Sequence, residues 1–228
     1  FNDSDWSGDL LRKDARWKYG QPPAGNANYA WIQHFLYHLS PSGIAGFVLA
    51  KGSLTSKSSG EGDIRKALIE ARLVDCIVNL PGKLFLNTQI PACLWFLSRN
   101  KANGGYRNRT DEILFIDARN EGHLINRRTK ELSTEDIQKI SETYHSWRNS
   151  KGNFEDIKGF CNSAGIDRVR ELDYVLTPGR YVGLPDDEED FNFNERFTGL
   201  KAEFEAQLKE EEKLNVLILE NLKKVKLV

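Results

Sequence analysis

Val74–Phe96 reads VDCIVNLPGKLFLNTQIPACLWF, and this stretch decides the fold of the chain. Two apolar runs dominate it, Leu73–Leu80 and Ala92–Leu97, and each has the length and composition of a buried strand. Only about ten residues join the runs, whereas a parallel pair needs a crossover of a dozen residues or more. The two strands are therefore predicted to be antiparallel to each other.

Further elements are predicted on both sides of this pair. Ile44–Ala50 is a short apolar run with glycines on either side, which predicts a buried strand, and Ile113–Asp117 predicts a fourth strand. Ser53–Gly62 is rich in Ser, Gly and Lys and predicts a loop long enough to be mobile. Apolar residues at helical spacing predict helices from Asn26 or Asn28 to about Leu39, over Asp63–Arg72 and over Thr134–Trp147.

The order strand, helix, strand and reversed neighbour predicts an α/β sheet that ends in an antiparallel edge. The C-terminal part has a different character. Pro185–Asp190 is acidic and predicts an exposed linker. Phe193–Lys224 predicts a long helix, in which the charged segment Lys209–Lys213 is either a break or a solvated turn.

The composition indicates a globular protein, with 228 residues, 39% hydrophobic residues, 29% charged residues and a formal net charge of -1. This charge argues against a wholesale electrostatic clamp on nucleic acid but leaves room for basic loops. No apolar run approaches the roughly 20 residues of a membrane span, and no membrane partner is expected.

The cysteines and histidines do not predict a metal site. Cys76, Cys93 and Cys161 are widely spaced among apolar residues, which predicts buried thiols in a reducing cytoplasm. His34 and His38 are four residues apart on a predicted helix, but no third ligand accompanies them.

Several segments resemble the methylation (M) subunit of type I restriction-modification systems, an S-adenosylmethionine-dependent adenine-N6 DNA methyltransferase. They are Asn26–Leu39 (NANYAWIQHFLYHL), Gly43–Gly62 (GIAGFVLAKGSLTSKSSGEG), Val74–Phe96 and Tyr174–Gly183 (YVLTPGRYVG). The resemblance implies the C-terminal part of a Rossmann-like methyltransferase sheet with an antiparallel edge strand, followed by a helical region. The predicted divisions are 1–130 for the catalytic portion, 131–185 for a helical extension, and 186–228 for the linker and a subunit-contact helix.

The resemblance also gives a role to the first residue. In that family the motif Asn-Pro-Pro-Phe holds a flipped adenine, and Phe1 followed by Asn2–Trp6 matches the end of this motif. Phe1 is then expected to stack on the base, and the cofactor site is expected upstream. Because the chain has no methionine and no Asn-Pro-Pro, it is expected to be the C-terminal part of its parent and inactive alone.

Two loops contain further site candidates. Phe85 follows the second strand, where the resemblance implies another aromatic contact to the flipped base; its alternative role is to anchor the hairpin. Asn87 and Thr88 are DNA-contact candidates, although their turn-forming tendency explains them equally well. Lys51, just before the Ser53–Gly62 loop, and Lys57, within it, are candidates for phosphate contact, with a plain solvated loop as the alternative.

The long C-terminal helix is the candidate subunit contact. In the type I family, C-terminal helices of the M subunit pack against the specificity (S) subunit, which reads the DNA target. The residues expected to make this contact form the apolar seam, namely Phe197, Leu200, Phe204 and Leu208. The alternative is that the seam packs on Thr134–Trp147 of the same chain.

The leading hypothesis is therefore part of a site-specific adenine methyltransferase whose partners are DNA, the S subunit and, in some complexes, a restriction (R) subunit. A second hypothesis is an assembly module that binds the S subunit without catalysis. A third is a different nucleotide-binding α/β protein with similar strands and loops.

Overall fold

The computed structural model describes residues 7–102, 105–184 and 193–224. It divides the chain into two units, Phe1–Pro185 and Asp186–Val228. The helices and strands are α1 (Asn28–His38), β1 (Ile44–Ala50), α2 (Glu61–Glu70), β2 (Val74–Asn79), β3 (Ala92–Ser98), β4 (Glu112–Asp117), β5 (His123–Leu124), β6 (Lys130–Glu131), α3 (Thr134–Arg148), β7 (Cys161–Gly165), α4 (Ile166–Glu171) and α5 (Phe193–Lys224). Short 3₁₀ turns lie at Lys51–Leu54, Ser58–Gly60 and Pro178–Arg180.

The first unit is built on a five-stranded sheet in the order β1-β3-β2-β4-β7. β2 and β3 are antiparallel, which confirms the prediction from their short connection. The α/β class is also confirmed. The reversed strand β3 is an interior strand, however, because it is antiparallel to β1 as well as to β2.

The antiparallel edge of this sheet is β7, for which the sequence analysis predicted no strand. β7 pairs antiparallel with β4, and β2 with β4 is the one parallel pair among the described strands. The sheet is therefore mostly antiparallel over these residues. The sequence of β7, CNSAG, lacks the β-branched and aromatic residues that are typical of a strand. Pairing with β4 therefore decides its conformation.

Helices cover both faces of the central strands. Side chains alternate along a strand, so Ile77 and Phe115 point into one apolar core, which includes residues of α1 and α2. Val78 and Ile116 point into a second core, which includes Trp147 of α3. Burial on both faces explains why β2 and β4 are continuous apolar runs.

The prediction that β1 is a buried strand was wrong. Only Leu49 of this strand is buried, and Ile44 and Val48 are exposed. β1 is an edge strand with one face packed inward, where Phe47 contacts Phe35 of α1 at 4.9 Å between ring centroids. Its apolar sequence does not distinguish this position from a central one.

The predicted loop over Ser53–Gly62 contains more regular structure than the sequence indicated. Two 3₁₀ turns and the start of α2 occupy this stretch, and Ser53 and Leu54 are buried. The Tyr29 hydroxyl donates to the carbonyl of Ser53 at 2.7 Å. Arg65 donates to the carbonyl of Ser56, so buried donors on two helices hold this backbone in place.

The two helices α3 and α1 differ in how their amino-terminal ends are capped. The predicted start of α3 is confirmed, because Ser133 and Asp136 form a reciprocal capping box with bonds of 3.1 and 2.8 Å. α1 has no side-chain cap on its Ala27 N-cap, but Asn26 accepts from the N–H of Asn28 at 3.0 Å.

The three cysteines are free and buried, as predicted. Burial raises the pKa of the Cys93 thiol to about 11. Thiolate chemistry is therefore suppressed at this position near neutral pH.

A buried ion pair connects β2 to the segment that precedes β4 and to α3. Arg109 Nε donates to Asp75 at 3.0 Å, and the Tyr144 hydroxyl donates to the same carboxylate at 2.9 Å. The Lys101 ammonium lies in the same buried region and donates to the carbonyl of Glu112. Desolvation lowers the pKa of Lys101 to about 8. A partner lost from this cluster would leave a charge uncompensated inside the protein.

The second unit is described by one element. α5 is a continuous helix over the predicted range, and no break occurs at Lys209–Lys213. Its apolar side chains from Phe197 to Leu222 are exposed.

Replacing Arg109 by Met should lower the free energy of unfolding by about 3–5 kcal/mol, because Asp75 remains buried without its partner. The control is Arg12→Met, which removes an exposed ion pair with Asp9 and should cost less than about 1 kcal/mol. Urea unfolding of both variants provides the measurement. Equal losses would contradict the structural role of the buried pair.

Candidate nucleic-acid interface at the carboxyl edge of the sheet

Three strands end at the same edge of the sheet. β1, β2 and β4 run in one direction, so Ala50, Asn79 and Asp117 mark their carboxyl ends. Ligands of open α/β sheets bind in the crevices outside such ends. We call this region the carboxyl edge, and it contains several of the residues that the sequence analysis selected.

The β2–β3 connection projects a tight turn from the carboxyl edge. Its base is closed by the N–H of Leu80, which donates to the carbonyl of Ala92 at 2.9 Å. At the tip, Phe85 and Thr88 form an antiparallel bridge. Phe85 is 43% exposed and Leu86 is 93% exposed, so the turn presents apolar side chains to solvent. Asn87 is also exposed at this tip.

Lys51 lies next to this turn, and Lys57 does not. The N–H of Lys51 donates to the carbonyl of Pro91 at 3.3 Å, which joins the end of β1 to the end of the β2–β3 connection. The ammonium of Lys57 instead pairs with Asp173, a residue far along the chain. A phosphate contact by Lys57 would therefore compete with an existing ion pair.

A polar cluster that the sequence analysis missed lies between β2 and β4. Asp117 is almost fully buried, and its carboxylate binds the guanidinium of Arg119 at 2.6–3.0 Å. Hydrogen bonding to Asp117 raises the pKa of Arg119. The amide nitrogen of Asn79 is 3.4 Å from Asp117, and its buried oxygen has no partner among the described residues. Asp117 and Arg119 thus form a fixed ion pair at the edge, and their charges compensate each other.

The segment Tyr174–Gly183 closes over this cluster. Its 3₁₀ turn, Pro178–Arg180, brings Gly179 so close that a Cβ would lie 2.9 Å from Nη2 of Arg119 and 3.1 Å from Oδ2 of Asp117. Only a residue without a side chain fits here without displacing the ion pair. The Pro-Gly pair in the sequence indicated a turn, but not which residues the turn would approach.

The remaining site predictions stay untested. Phe1 lies outside the described residues, so its stacking role stays a prediction. The apolar seam on α5 belongs to the second unit, where its four side chains are exposed.

Residues 1–190 match the protein family described as N-6 DNA Methylase. The chain belongs to this family. It is 48% identical over 223 residues to the methylase subunit of the type I restriction enzyme HindI from Haemophilus influenzae, covering 97% of this chain and 49% of that protein. It is 41% identical over 231 residues to the MjaIX methylase subunit of Methanocaldococcus jannaschii, with 97% and 40% covered.

The chain thus spans about half the length, or less, of these curated relatives. Among solved structures of the family, it superposes on the type I methyltransferase subunit from Streptococcus thermophilus with a TM-score of 0.67 and 32% identity. That match covers 81% of this chain and 36% of the other. The EcoKI M protein, with a TM-score of 0.56 and 16% identity over 82% of this chain and 45% of its own, shares the fold.

The described parts of the chain contain neither a metal-binding cluster nor a membrane span. No group of three or more His, Cys, Asp or Glu side chains there could hold a metal ion. None of the helices in those ranges is long and apolar enough to cross a membrane.

Replacing Gly179 by Ala should push the guanidinium of Arg119 away from Asp117 and lower the free energy of unfolding by about 1 kcal/mol or less, because Nη2 is the end of a flexible, half-exposed side chain. Gly25→Ala is the matched control, because nothing lies within 4 Å of its added methyl group. In a double-mutant cycle, Arg119→Ala should remove most of the Gly179→Ala penalty. Additive losses in urea unfolding would contradict the predicted contact.

Proposed function

We propose that the protein is part of the M subunit of a type I restriction-modification system and takes part in methyl transfer to adenine N6 in DNA. The observation that carries the proposal is the family match over residues 1–190, together with high identity to methylase subunits over nearly the whole chain. An exposed aromatic turn beside a lysine at the carboxyl edge fits a nucleic-acid substrate.

In this proposal Phe85 contacts the flipped adenine. An adenine inside a duplex is inaccessible to chemistry on its amine, so such enzymes extrude the base and stack it on aromatic side chains. Phe85 is exposed on a turn braced by its bridge to Thr88. Lys51, Asn87 and Thr88 are the adjoining candidates for contacts to the DNA backbone. Phe1 is the proposed stacking residue, and Phe85 is the proposed second aromatic contact to the base.

Neither of two cavities lined by described residues fits S-adenosylmethionine. A cavity of about 320 Å³ is lined by Arg107, Glu112 and Trp147, but Arg107 already binds Glu112 at 2.7 and 2.9 Å. A cavity of about 280 Å³ near α2 includes the paired Lys57 and Asp173. Neither has the glycine-rich strand-to-helix turn of a nucleotide site. We place the main cofactor site outside these 228 residues and derive no step through it.

The proposed partner of α5 is the S subunit, which would supply the DNA target sequence. The apolar seam is exposed over Phe197, Leu200, Phe204 and Leu208, spaced so that these side chains share one helix face. The second candidate function, an assembly module without catalysis, rests on this seam alone. A restriction subunit is a further proposed partner of the whole complex.

The proposed activity is tested with the full-length protein and its S subunit, by mass-spectrometric detection of N6-methyladenine in DNA. Phe85→Ala should lower the rate of transfer roughly 5- to 150-fold, since stacking of one base contributes about 1–3 kcal/mol. Leu86→Ala, which removes the neighbouring exposed side chain, is the control and should retain activity.

Three outcomes of this assay are informative. Loss of activity in Leu86→Ala but not in Phe85→Ala would contradict the proposed stacking residue. Absence of N6-methyladenine with the wild-type complex would contradict the proposed function and favour the assembly module. The 228-residue chain alone is expected to transfer no methyl groups, and robust transfer would contradict the placement of the cofactor site.

The seam is tested by co-purification of the full-length protein with its S subunit. Leu200→Asp with Phe204→Asp should abolish association, because two charges would be buried in an apolar contact. Ala202→Asp with Ala206→Asp adds the same charge on another face of α5 and should leave association intact. Survival of the complex in the first variant would show that the seam is placed wrongly.

A further inference from the structure

The arginines of this chain divide into paired and unpaired groups. Most guanidiniums bind a carboxylate or a carbonyl or stack on an aromatic ring, as Arg109 does with Asp75 and Arg148 does with Tyr106. Among the arginine side chains that the structure describes, those without any such partner are Arg127, Arg128 and Arg180. All three are exposed.

These unpaired charges lie on segments connected to the carboxyl edge. Arg180 belongs to the 3₁₀ turn that covers the Asp117–Arg119 pair. Arg127 and Arg128 form the tip of the hairpin β5–β6, which follows β4 at that edge. The net charge of the whole chain is close to zero, so this concentration of free cations is a local property.

The hairpin is held against the β2–β3 connection. A two-stranded hairpin of this size is marginal on its own in water. Here the N–H of Lys130 donates to the carbonyl of Lys83 at 2.8 Å, and the Lys83 ammonium donates to the carbonyl of Arg127 at 3.3 Å. The arginine tip is therefore fixed relative to the turn that carries Phe85.

The turn at the tip is ordered by a side chain rather than by burial. Oδ1 of Asn126 accepts from the N–H groups of Arg128 at 2.8 Å and Thr129 at 2.9 Å. The N–H of Ile125 donates to the carbonyl of Thr129 at 3.1 Å. This turn fixes the backbone of both arginines while their guanidiniums remain in solvent.

The acidic groups of the hairpin do not neutralise the tip. Glu121 pairs with Lys139 of α3 at 2.8 Å, so its charge is already compensated. Glu131 is opposite His123 at the base of the hairpin. The remaining cation, Lys130, donates to the carbonyl of Glu121 at 3.0 Å and thereby braces the base.

We propose that Arg127 and Arg128 bind the phosphate backbone of duplex DNA beside the turn that carries Phe85, with Arg180 contributing to the same positive edge. This inference rests on the proposed function. Guanidiniums that are exposed, unpaired and carried on a fixed turn can form bidentate bonds to phosphate at little cost in lost internal contacts. Such contacts position the duplex and are independent of its sequence.

The test measures DNA binding by the full-length protein in complex with its S subunit. The probe is a fluorescein-labelled duplex of random sequence, titrated by fluorescence anisotropy at several salt concentrations. Arg127→Gln with Arg128→Gln should reduce the slope of log K against log salt by about 1.8, and weaken binding roughly 30-fold near 0.15 M salt. Arg127→Lys with Arg128→Lys keeps both charges and should restore most of the slope.

The matched control is Lys151→Gln with Arg168→Gln. It removes the same formal charge from two exposed positions, Lys151, which follows α3, and Arg168 of α4, which pairs with Glu171. α4 follows β7, whose last residue pairs with the amino end of β4. This variant should bind within about twofold of wild type, because screening removes distant charges from the interaction.

Each result bears on the proposal. A glutamine variant with wild-type affinity and slope overturns the inference while leaving the proposed function intact. Loss of the S subunit from the glutamine variant with an unchanged slope also overturns it, and assigns the tip to a protein contact. A wild-type complex that binds no DNA contradicts the proposed function, and this inference with it.

Discussion

The rest of the molecule depends on one constraint. β3 is hydrogen-bonded to β1 on one side and to β2 on the other, and it is antiparallel to both. This strand fixes the registers of β1 and β2, and it brings the carboxyl ends of those strands to one edge with β4. The short connection before β3 then has to project from that edge. The exposure of Phe85 and the position of Lys51 are both consequences of this pairing.

Charged side chains have different roles at the two ends of the sheet, the amino end of β2 and the carboxyl edge. The buried charges Asp75 and Arg109 satisfy each other and hold α3 and the segment before β4 against β2. At the carboxyl edge, Asp117 fixes Arg119, while the arginines of the neighbouring hairpin and turn remain unpaired. A charge that is paired inside the protein contributes to structure, whereas one left free on a fixed turn is available to a ligand.

Membership of the N-6 DNA methylase family gives this edge its interpretation. The family assignment does not depend on the site, because it rests on similarity over most of the chain. The exposure of Phe85, the bond from the Lys51 N–H to Pro91 and the unpaired arginines are features of this structure, although the resemblance to the family first directed attention to Phe85. The proposal of a nucleic-acid substrate at the carboxyl edge draws on both.

The sequence alone determined the elements whose signals are local. The apolar runs of β2 and β3, their short connection, the start of α3 and the range of α5 were predicted from the sequence and are observed. Only the tertiary structure decided that β1 is an edge strand, that CNSAG pairs with β4, and that Ser53 is buried. It also brought Gly179 onto the Asp117–Arg119 pair and joined Lys83 to Arg127. These features depend on contacts between residues that are distant in sequence. The pattern within one segment does not specify which other segment it will contact.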